Sequence, residues 1–522
     1  MAQTSTFDFL VAGSGLAGTY AALIASQYGT VGIITQGELE QSNSYNAQGG
    51  IAAVVEQDDS PSLHLHDTLE AGRGLCDTKA AEILAYEAPA RIQELIALGM
   101  QFDSSNGSLS LGLEGGHHHR RVLHAGGDAT GEHLTSFVQG QVKQKDNISI
   151  LEHHVALELL MGPSGCQGIR TWDTQRAQEE IIYAQNTILA LGGLCALYPR
   201  STNPRTALGD GIALAYNAGC RIYDAEFVQF HPTALYIPHG PAFLVSEAVR
   251  GEGAHLLNQK GERFMLGRYP QAELSPRDQV TLAIHAEIAK QADMPYVWLD
   301  LRHLDAEKVT QRFPHIWQRC HDAGYDLTKR IPVAPAAHYM VGGVRTDLEG
   351  YTGIPHLYAC GEIACSGLMG ANRLASNSLI ECLVFGKRAV EHARSTPQTI
   401  DRSFQPYYTL QAAQADRLDH VTAHVGQILH EGAGIVRTAT TIEAARRQLA
   451  ELKASLPQDS HEFYARLMRN RVTVASCVLD GALFRKESRG GHFRSDYPAE
   501  QQAYHCHTVQ QMGCSITTAP VE

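Results

Sequence analysis

The chain has 522 residues, 44% hydrophobic and 19% charged, as expected of a soluble globular protein of roughly two to four domains. Its net charge of −13 and the lack of any Lys/Arg-rich block exclude nucleic acid as the main partner. No apolar run approaches the roughly 18 residues of a membrane span, and no basic segment with a cleavable apolar core opens the chain, so no membrane partner and a cytoplasmic location are expected. The 11 cysteines include no Cys-x-x-Cys pair, which suits reduced, buried thiols and no resident metal or iron–sulfur cluster.

Residues 6–12 form a short apolar strand that runs into Gly13, Gly15 and Gly18. An alanine-rich helix over 16–28 and a second strand over 31–35 follow. This order is the first unit of a Rossmann-type dinucleotide-binding fold. Gly13 permits the sharp turn, Gly15 lets the backbone approach a pyrophosphate, and Gly18 lets helix and strand pack closely. The helix N-terminus offers free N–H groups to phosphate charge. An acidic residue is expected roughly 20 residues later to hold a ribose. Glu38, just past the second strand, is one choice; a ribose held by other groups is the alternative.

Residues 42–50 are a polar loop ending Ala47-Gln48-Gly49-Gly50. Apolar residues at helical spacing predict helix over 64–99, stopped at Gly99. Residues 103–131 are a long irregular stretch rich in Gly, Ser and His, of the kind that usually carries function. It includes His117-His118-His119, whose diverging side chains suit a surface or loop cluster better than a metal site. Strands are predicted at Ile148–Leu151, 167–172, 181–183 and 187–190, then a helix over 209–219. Residues 225–340 are punctuated by prolines and polar clusters and read as an inserted domain. Residues 357–362 and the helix Asn377–Ala393 resume the first domain. Beyond about 396 the pattern is polar and helical, with amphipathic helices over 441–456 and 460–480.

Motifs accumulate across this frame: Glu226-Phe-Val-Gln-Phe-His231-Pro-Thr, Ser246-Glu-Ala-Val-Arg250-Gly-Glu-Gly, Pro276-Arg277-Asp278, Ala336-Ala-His338-Tyr-Met-Val-Gly-Gly and Gly370-Ala-Asn-Arg373-Leu-Ala-Ser-Asn-Ser378-Leu379. A single His beside Pro is usually structural, and a single Arg usually solvated. Together they place Arg and His repeatedly in Gly-rich, low-charge surroundings. Arg forks bind carboxylates bidentately and His adds directed hydrogen bonds, as gripping a dicarboxylate requires.

These motifs resemble the flavoprotein subunits of succinate dehydrogenase and fumarate reductase, from Gly13 to the Lys486-Glu-Ser-Arg-Gly-Gly-His stretch. Within that family they are most similar to the branch that oxidises L-aspartate. The resemblance implies an α/β, overall mixed α+β, architecture. An FAD-binding domain (1–224 and 341–395) would carry an inserted capping domain (225–340) and a C-terminal helical domain (396–522). It further implies that Ser14, Leu16, Ala17, Asn43, Ser44, Ala47, Gln48, Gly49, Gly50, Asp210, Glu362, Ser378 and Leu379, with the three glycines, contact FAD. His231, Ser246, Arg250, His338 and Arg373 would bind substrate, and Arg277 would transfer protons. An arginine can move protons only if burial and neighbouring cations oppose its charge, and Arg250 and Arg373 are available; otherwise Arg277 is an electrostatic clamp.

Two positions separate the branches. In the respiratory enzymes a histidine bonds covalently to FAD where this chain has Asn43, so noncovalent FAD is expected. Glu114, in Leu113-Glu-Gly-Gly-His, resembles a carboxylate that faces the substrate amino group; a solvated loop carboxylate is the alternative. Ser246 stands where the oxidases commonly have Thr, and Met369 where His can occur. The implied reaction is oxidation of L-aspartate to iminoaspartate, with O2 or fumarate as acceptor, feeding NAD biosynthesis through quinolinate synthase. The alternatives are a soluble fumarate reductase or succinate dehydrogenase-like flavoprotein and a noncatalytic flavin-binding protein.

Overall fold

The computed structural model describes residues 4–105, 107–238, 240–291, 293–411, 414–457 and 461–522. Strand Thr4–Ala12 lies inside a seven-stranded sheet because its second half, Phe9 to Ala12, is apolar on both faces and fully buried. Parallel neighbours flank it: Val31–Ile34 and then Ile148–Leu151 on one side, Gln178–Leu189 on the other. Beyond Gln178–Leu189 come the antiparallel strands Gly165–Asp173 and His154–Gly162, and Leu357–Ala359 adds a parallel partner. Helices Leu16–Ala25 and Asn377–Ala393 pack on each other in one apolar core with this sheet.

Residues inside 225–340 build a separate antiparallel sheet. Its order is Phe243–Leu244, Val228–Leu235, Arg330–Met340, Val297–Asp300, His255–Leu257, over its own core that includes Val280, Ile284 and Ile331. Helices Ala415–Ala433, Ala439–Ser455 and Phe463–Phe484 pack together near the C-terminus. The final strands, Cys506–Gln510 and Thr517–Pro520, return to a third sheet with Ile222–Tyr223 and Gly343–Arg345.

The α/β fold class agrees with the sequence reading, and several elements differ in detail. The stretch 64–99 is two helices, Pro61–Ala71 and Thr78–Ala97, because Arg73 and Gly74 adopt positive φ between them. The two strands predicted at 181–183 and 187–190 are one, Gln178–Leu189, which ends before Ala190 and whose Asn186 is buried and satisfied by donating Nδ2–H to the Ala393 carbonyl at 3.0 Å. Strand His154–Gly162 has no counterpart in the predicted elements: its Ala-Leu-Glu-Leu-Leu-Met run favours helix locally, and pairing with Gly165–Asp173 overrides that preference. The helix expected over 460–480 is observed as Phe463–Phe484, and Ser460 lies outside the described residues. All cysteines are free thiols; nine are buried, Cys506 is half-buried and Cys514 exposed. No helix among the described residues is long and apolar enough to cross a membrane.

Candidate active site

One cleft of about 1520 Å3, including its open mouth, runs from the glycine turn to the strand that carries His231. At the first end the turn is forced by sterics. A Cβ on Gly13, at φ +119, would lie 2.1 Å from the Ala190 carbonyl oxygen, and one on Gly18 would lie 2.0 Å from that of Gly13. Gly15 caps helix Leu16–Ala25 without a side-chain bond, so the first-turn N–H groups face whatever occupies the cleft. Ser14 and Thr35 hydroxyls bond each other at 3.0 Å. Thr35, Gln36, Gly37 and Gln41 wall this end, whereas Glu38 is exposed.

Midway, Asn43, Ser44, Ala47, Gln48, Gly49 and Gly50 line the cleft opposite Glu362, Ser378 and Leu379. Asn43 Nδ2 donates to Glu362 Oε2 at 2.7 Å and to Asn203 Oδ1 at 3.1 Å, while its own Oδ1 is buried without a partner. Met340 N donates to Glu362 Oε1 at 3.0 Å. Burial pushes the Glu362 carboxyl above the usual range.

At the far end the side chains form a linked set. Arg373 Nη2 donates to His338 Nε2 at 3.0 Å, and Nη1 to Ser378 Oγ at 2.7 Å. Since a guanidinium only donates, His338 carries its proton on Nδ1, which donates to Thr202 Oγ1 at 2.8 Å. The His231 ring packs edge-on to His338, centroids 5.1 Å apart, and His231 Nδ1 accepts from Thr233 N at 3.3 Å. Burial first, then Arg277, holds His231 well below the ordinary histidine pKa; burial first, then Arg373, does so for His338. Both rings are therefore neutral, and His231 keeps its proton on Nε2. Arg373 lies over the Tyr339 ring at 4.1 Å, and burial, then Arg277, lowers its pKa to about 10, so it stays charged at neutral pH.

Arg277 opens helix Arg277–Ile288, directly after Pro276. Its Nε donates to Glu247 Oε2 at 2.7 Å and its Nη1 to Gln229 Oε1 at 3.1 Å. The Gln229 amide then donates to the Arg373 carbonyl at 3.1 Å, tying the two arginines together. Burial would raise Glu247, yet Arg250 and Arg277 hold it below the usual carboxylate range. Ser246 caps the short helix Glu247–Gly251, its Oγ accepting from Ala248 N at 3.3 Å, and its own N–H donates to Gln48 Oε1 at 3.1 Å.

Glu114 is 5% exposed, not a solvated loop carboxylate. Its Oε2 accepts from Ser376 Oγ at 2.7 Å, and its Oε1 is buried without a partner. The histidine run behind it is only partly at the surface. His117 is buried, with Nε2 2.8 Å from the Ala375 carbonyl and Nδ1 accepting from Arg121 Nη1 at 3.1 Å. His118 is the exposed member, 2.6 Å from Asp67.

Four expected site residues do not line the cleft. Leu16 and Gly18 are buried in the helix–strand packing. Asp210 is bound by Arg471 Nη1 and, at 3.2 Å, by Asn470 Nδ2 from helix Phe463–Phe484. Arg250 sits behind Glu247, its Nη1 on the Glu273 carbonyl and its Nη2 3.3 Å from Glu247 Oε1, so a carboxylate separates it from Arg277. Conversely, Thr202, Asn203, Glu247, Tyr339 and Ser376 line the cleft without having been singled out from sequence. The Ser246-Glu247 and His338-Tyr339 adjacencies were the available signals.

Free first-turn N–H groups at one end of the cleft and fixed arginines at the other suit a nucleotide cofactor and an anionic ligand. Similarity narrows this. The FAD binding domain family matches residues 8–379, and the fumarate reductase flavoprotein C-terminal family matches 422–522. An L-aspartate oxidase of Synechocystis is 40% identical, covering 96% of each chain. L-aspartate oxidase 1 of Ralstonia nicotianae is 42% identical, over 94% of this chain and 96% of its own. The E. coli quinol fumarate reductase structure superposes with a TM-score of 0.90 at 30% identity, covering 99% of this chain and 97% of its own. The chain belongs to the FAD-dependent succinate dehydrogenase/fumarate reductase flavoprotein family, in its L-aspartate oxidase branch. It is an FAD-dependent oxidoreductase.

The cleft fits FAD: it is continuous from the Gly15 helix end, and Asn43 Oδ1 in its wall is a buried polar atom without a partner. Asn43 offers no nucleophile for a covalent link. Acid or heat precipitation is therefore expected to release the yellow flavin into the supernatant, and colour retained by the washed pellet would contradict this.

Proposed function

We propose that the enzyme oxidises L-aspartate to iminoaspartate, and the observation that carries this reading is the buried Glu114 carboxylate with its unpartnered Oε1. FAD, when bound, supplies the hydride acceptor and passes the electrons to O2, giving H2O2, or to fumarate. Arg373 and Arg277 bind the substrate carboxylates, with His231 Nε2–H and the Ser246 hydroxyl adding directed donors. Thr202 fixes the His338 ring, and His338 in turn orients Arg373. Neutral histidines suit this task, because they donate without adding a competing charge. Glu114 pairs with the ammonium, which succinate lacks. Arg277 holds the proton for carbon in the fumarate-reducing direction, with Glu247 and Arg250 aligned behind it.

The same proposal assigns 225–340 as the cap over a flavin domain of 1–224 and 341–395, with 396–522 as the helical domain; the separate sheet and core within 225–340 support it. Location in the cytoplasm and delivery of iminoaspartate to quinolinate synthase for NAD biosynthesis belong to it too.

Anaerobic mixing with L-aspartate, D-aspartate or succinate tests the reading: flavin bleaching should be fastest with L-aspartate. Bleaching by succinate alone would favour a succinate dehydrogenase-like enzyme. Glu114→Gln keeps the size and removes the charge. A charge-assisted bond contributes roughly 1.5–3 kcal/mol against about 1 for a neutral one, so kcat/KM for L-aspartate should fall about tenfold relative to that for fumarate. An unchanged ratio would place Glu114 outside the amino-group site.

A further inference from the structure

Ser376 stands at the N-cap of helix Asn377–Ala393, where serine normally turns its oxygen onto first-turn N–H groups. It makes no such bond. Its backbone lies at φ +61 and ψ 2, in the left-handed region that a residue with a Cβ occupies at a cost. The hydroxyl is turned to Glu114 instead: Ser376 Oγ–H donates to Glu114 Oε2 at 2.7 Å, out of solvent.

The surroundings hold this pair in place. The Ser376 carbonyl accepts from Ala52 N at 3.1 Å, and the adjacent Ala375 carbonyl lies 2.8 Å from His117 Nε2. His117 N in turn donates to the Glu114 carbonyl at 3.1 Å. One hydroxyl carries one proton, so only Oε2 is engaged. Oε1 remains buried and unpartnered beside Gly49 in the cleft wall.

We propose that Ser376 is a positioning residue for substrate choice, fixing the Glu114 carboxylate so that Oε1 meets the substrate ammonium. This rests on the assignment of Glu114 to the amino group. Without the hydroxyl the carboxylate loses its fixed orientation, and only a substrate carrying an ammonium is penalised. Succinate draws no benefit from the alignment and is unaffected when it goes.

Ser376→Gly is the informative variant. It deletes the hydroxyl, and glycine takes the same φ without strain, so the backbone is kept, and Tm and flavin content show that the variant is folded. The measurements are KM for L-aspartate and the calorimetric Kd for succinate, in the parent, Ser376→Gly, Glu114→Gln and the double variant. Ser376→Gly should raise the aspartate KM about tenfold, the scale of one hydrogen bond to a charged group, and leave the succinate Kd unchanged. In the Glu114→Gln background it should add little. An unshifted KM-to-Kd ratio in Ser376→Gly, or an equal shift in both backgrounds, would overturn the proposal. An unshifted ratio in Glu114→Gln itself would remove the Glu114 assignment and this one with it, a result distinct from the other two.

Discussion

Arg277→Leu is expected to slow fumarate reduction by about 100- to 10,000-fold, the range over which a positioned proton donor acts, while FAD stays bound. Reduction of fumarate needs a proton placed on carbon, and few groups at this end of the cleft can give one. His231 and His338 are both neutral, and His338 has its proton committed to Thr202. Arg277 is 8% exposed and held at two points, by Glu247 Oε2 and Gln229 Oε1, which leaves the outer edge of its guanidinium for substrate. Its nearest charge is a carboxylate: of the two cations that the sequence offered to oppose its charge, Arg250 is separated from it by Glu247 in an Arg277–Glu247–Arg250 line. Glu247 loses one of its two cations in the variant; Arg277→Lys restores a charge there without the two-point geometry and should remain slow. The assay is turnover of fumarate with a reduced dye, normalised to bound flavin. Parental turnover in Arg277→Leu would end the proton-donor role. L-Aspartate oxidation is a weaker readout, because loss of an electrostatic clamp would slow it as well.

Legibility from sequence follows a physical division. The glycine turn was readable because close backbone approach admits only glycine at Gly13 and Gly18. His231, Arg277, His338 and Arg373 were visible as polar groups in Gly-rich, apolar surroundings, where a charge without a task is unfavourable. Gln229, Thr202 and Tyr339 touch those groups, and Ser376 touches Glu114. Their value depends on what packs beside them: Thr202 meets His338 from 136 positions away and Ser376 meets Glu114 from 262. No local spacing encodes such pairs. Arg250 fell on the wrong side of this divide, for its motif neighbour Glu247, not Arg250, reaches the cleft. Strand His154–Gly162 was hidden for the same reason, since a helix-favouring run becomes a strand only once its partner is in place.

Arg373→Leu is expected to raise the KM for L-aspartate by roughly 30-fold or more, as losing one partner of a buried charge pair costs about 2–5 kcal/mol. Arg373 links the His338 side of the cleft to Ser378. Its two terminal nitrogens are taken on one side by His338 and Ser378, its plane rests on Tyr339, and its Nε is buried without a partner. A buried guanidinium with an unanswered donor is an unfavourable arrangement unless an anion completes it. In the proposed reaction a substrate carboxylate supplies that anion. The leucine variant removes the charge and also leaves His338 Nε2 without its donor, so the ring is held through Thr202 alone. FAD should stay, because the glycine turn and the 43–50 loop do not depend on Arg373. Arg373→Lys separates charge from geometry: one ammonium cannot bond His338, Ser378 and a carboxylate in a single plane, so KM should fall between parent and leucine variant. Parental KM and kcat in Arg373→Leu would show that no substrate carboxylate reaches this guanidinium, and the clamp would then rest on Arg277 and His231 alone.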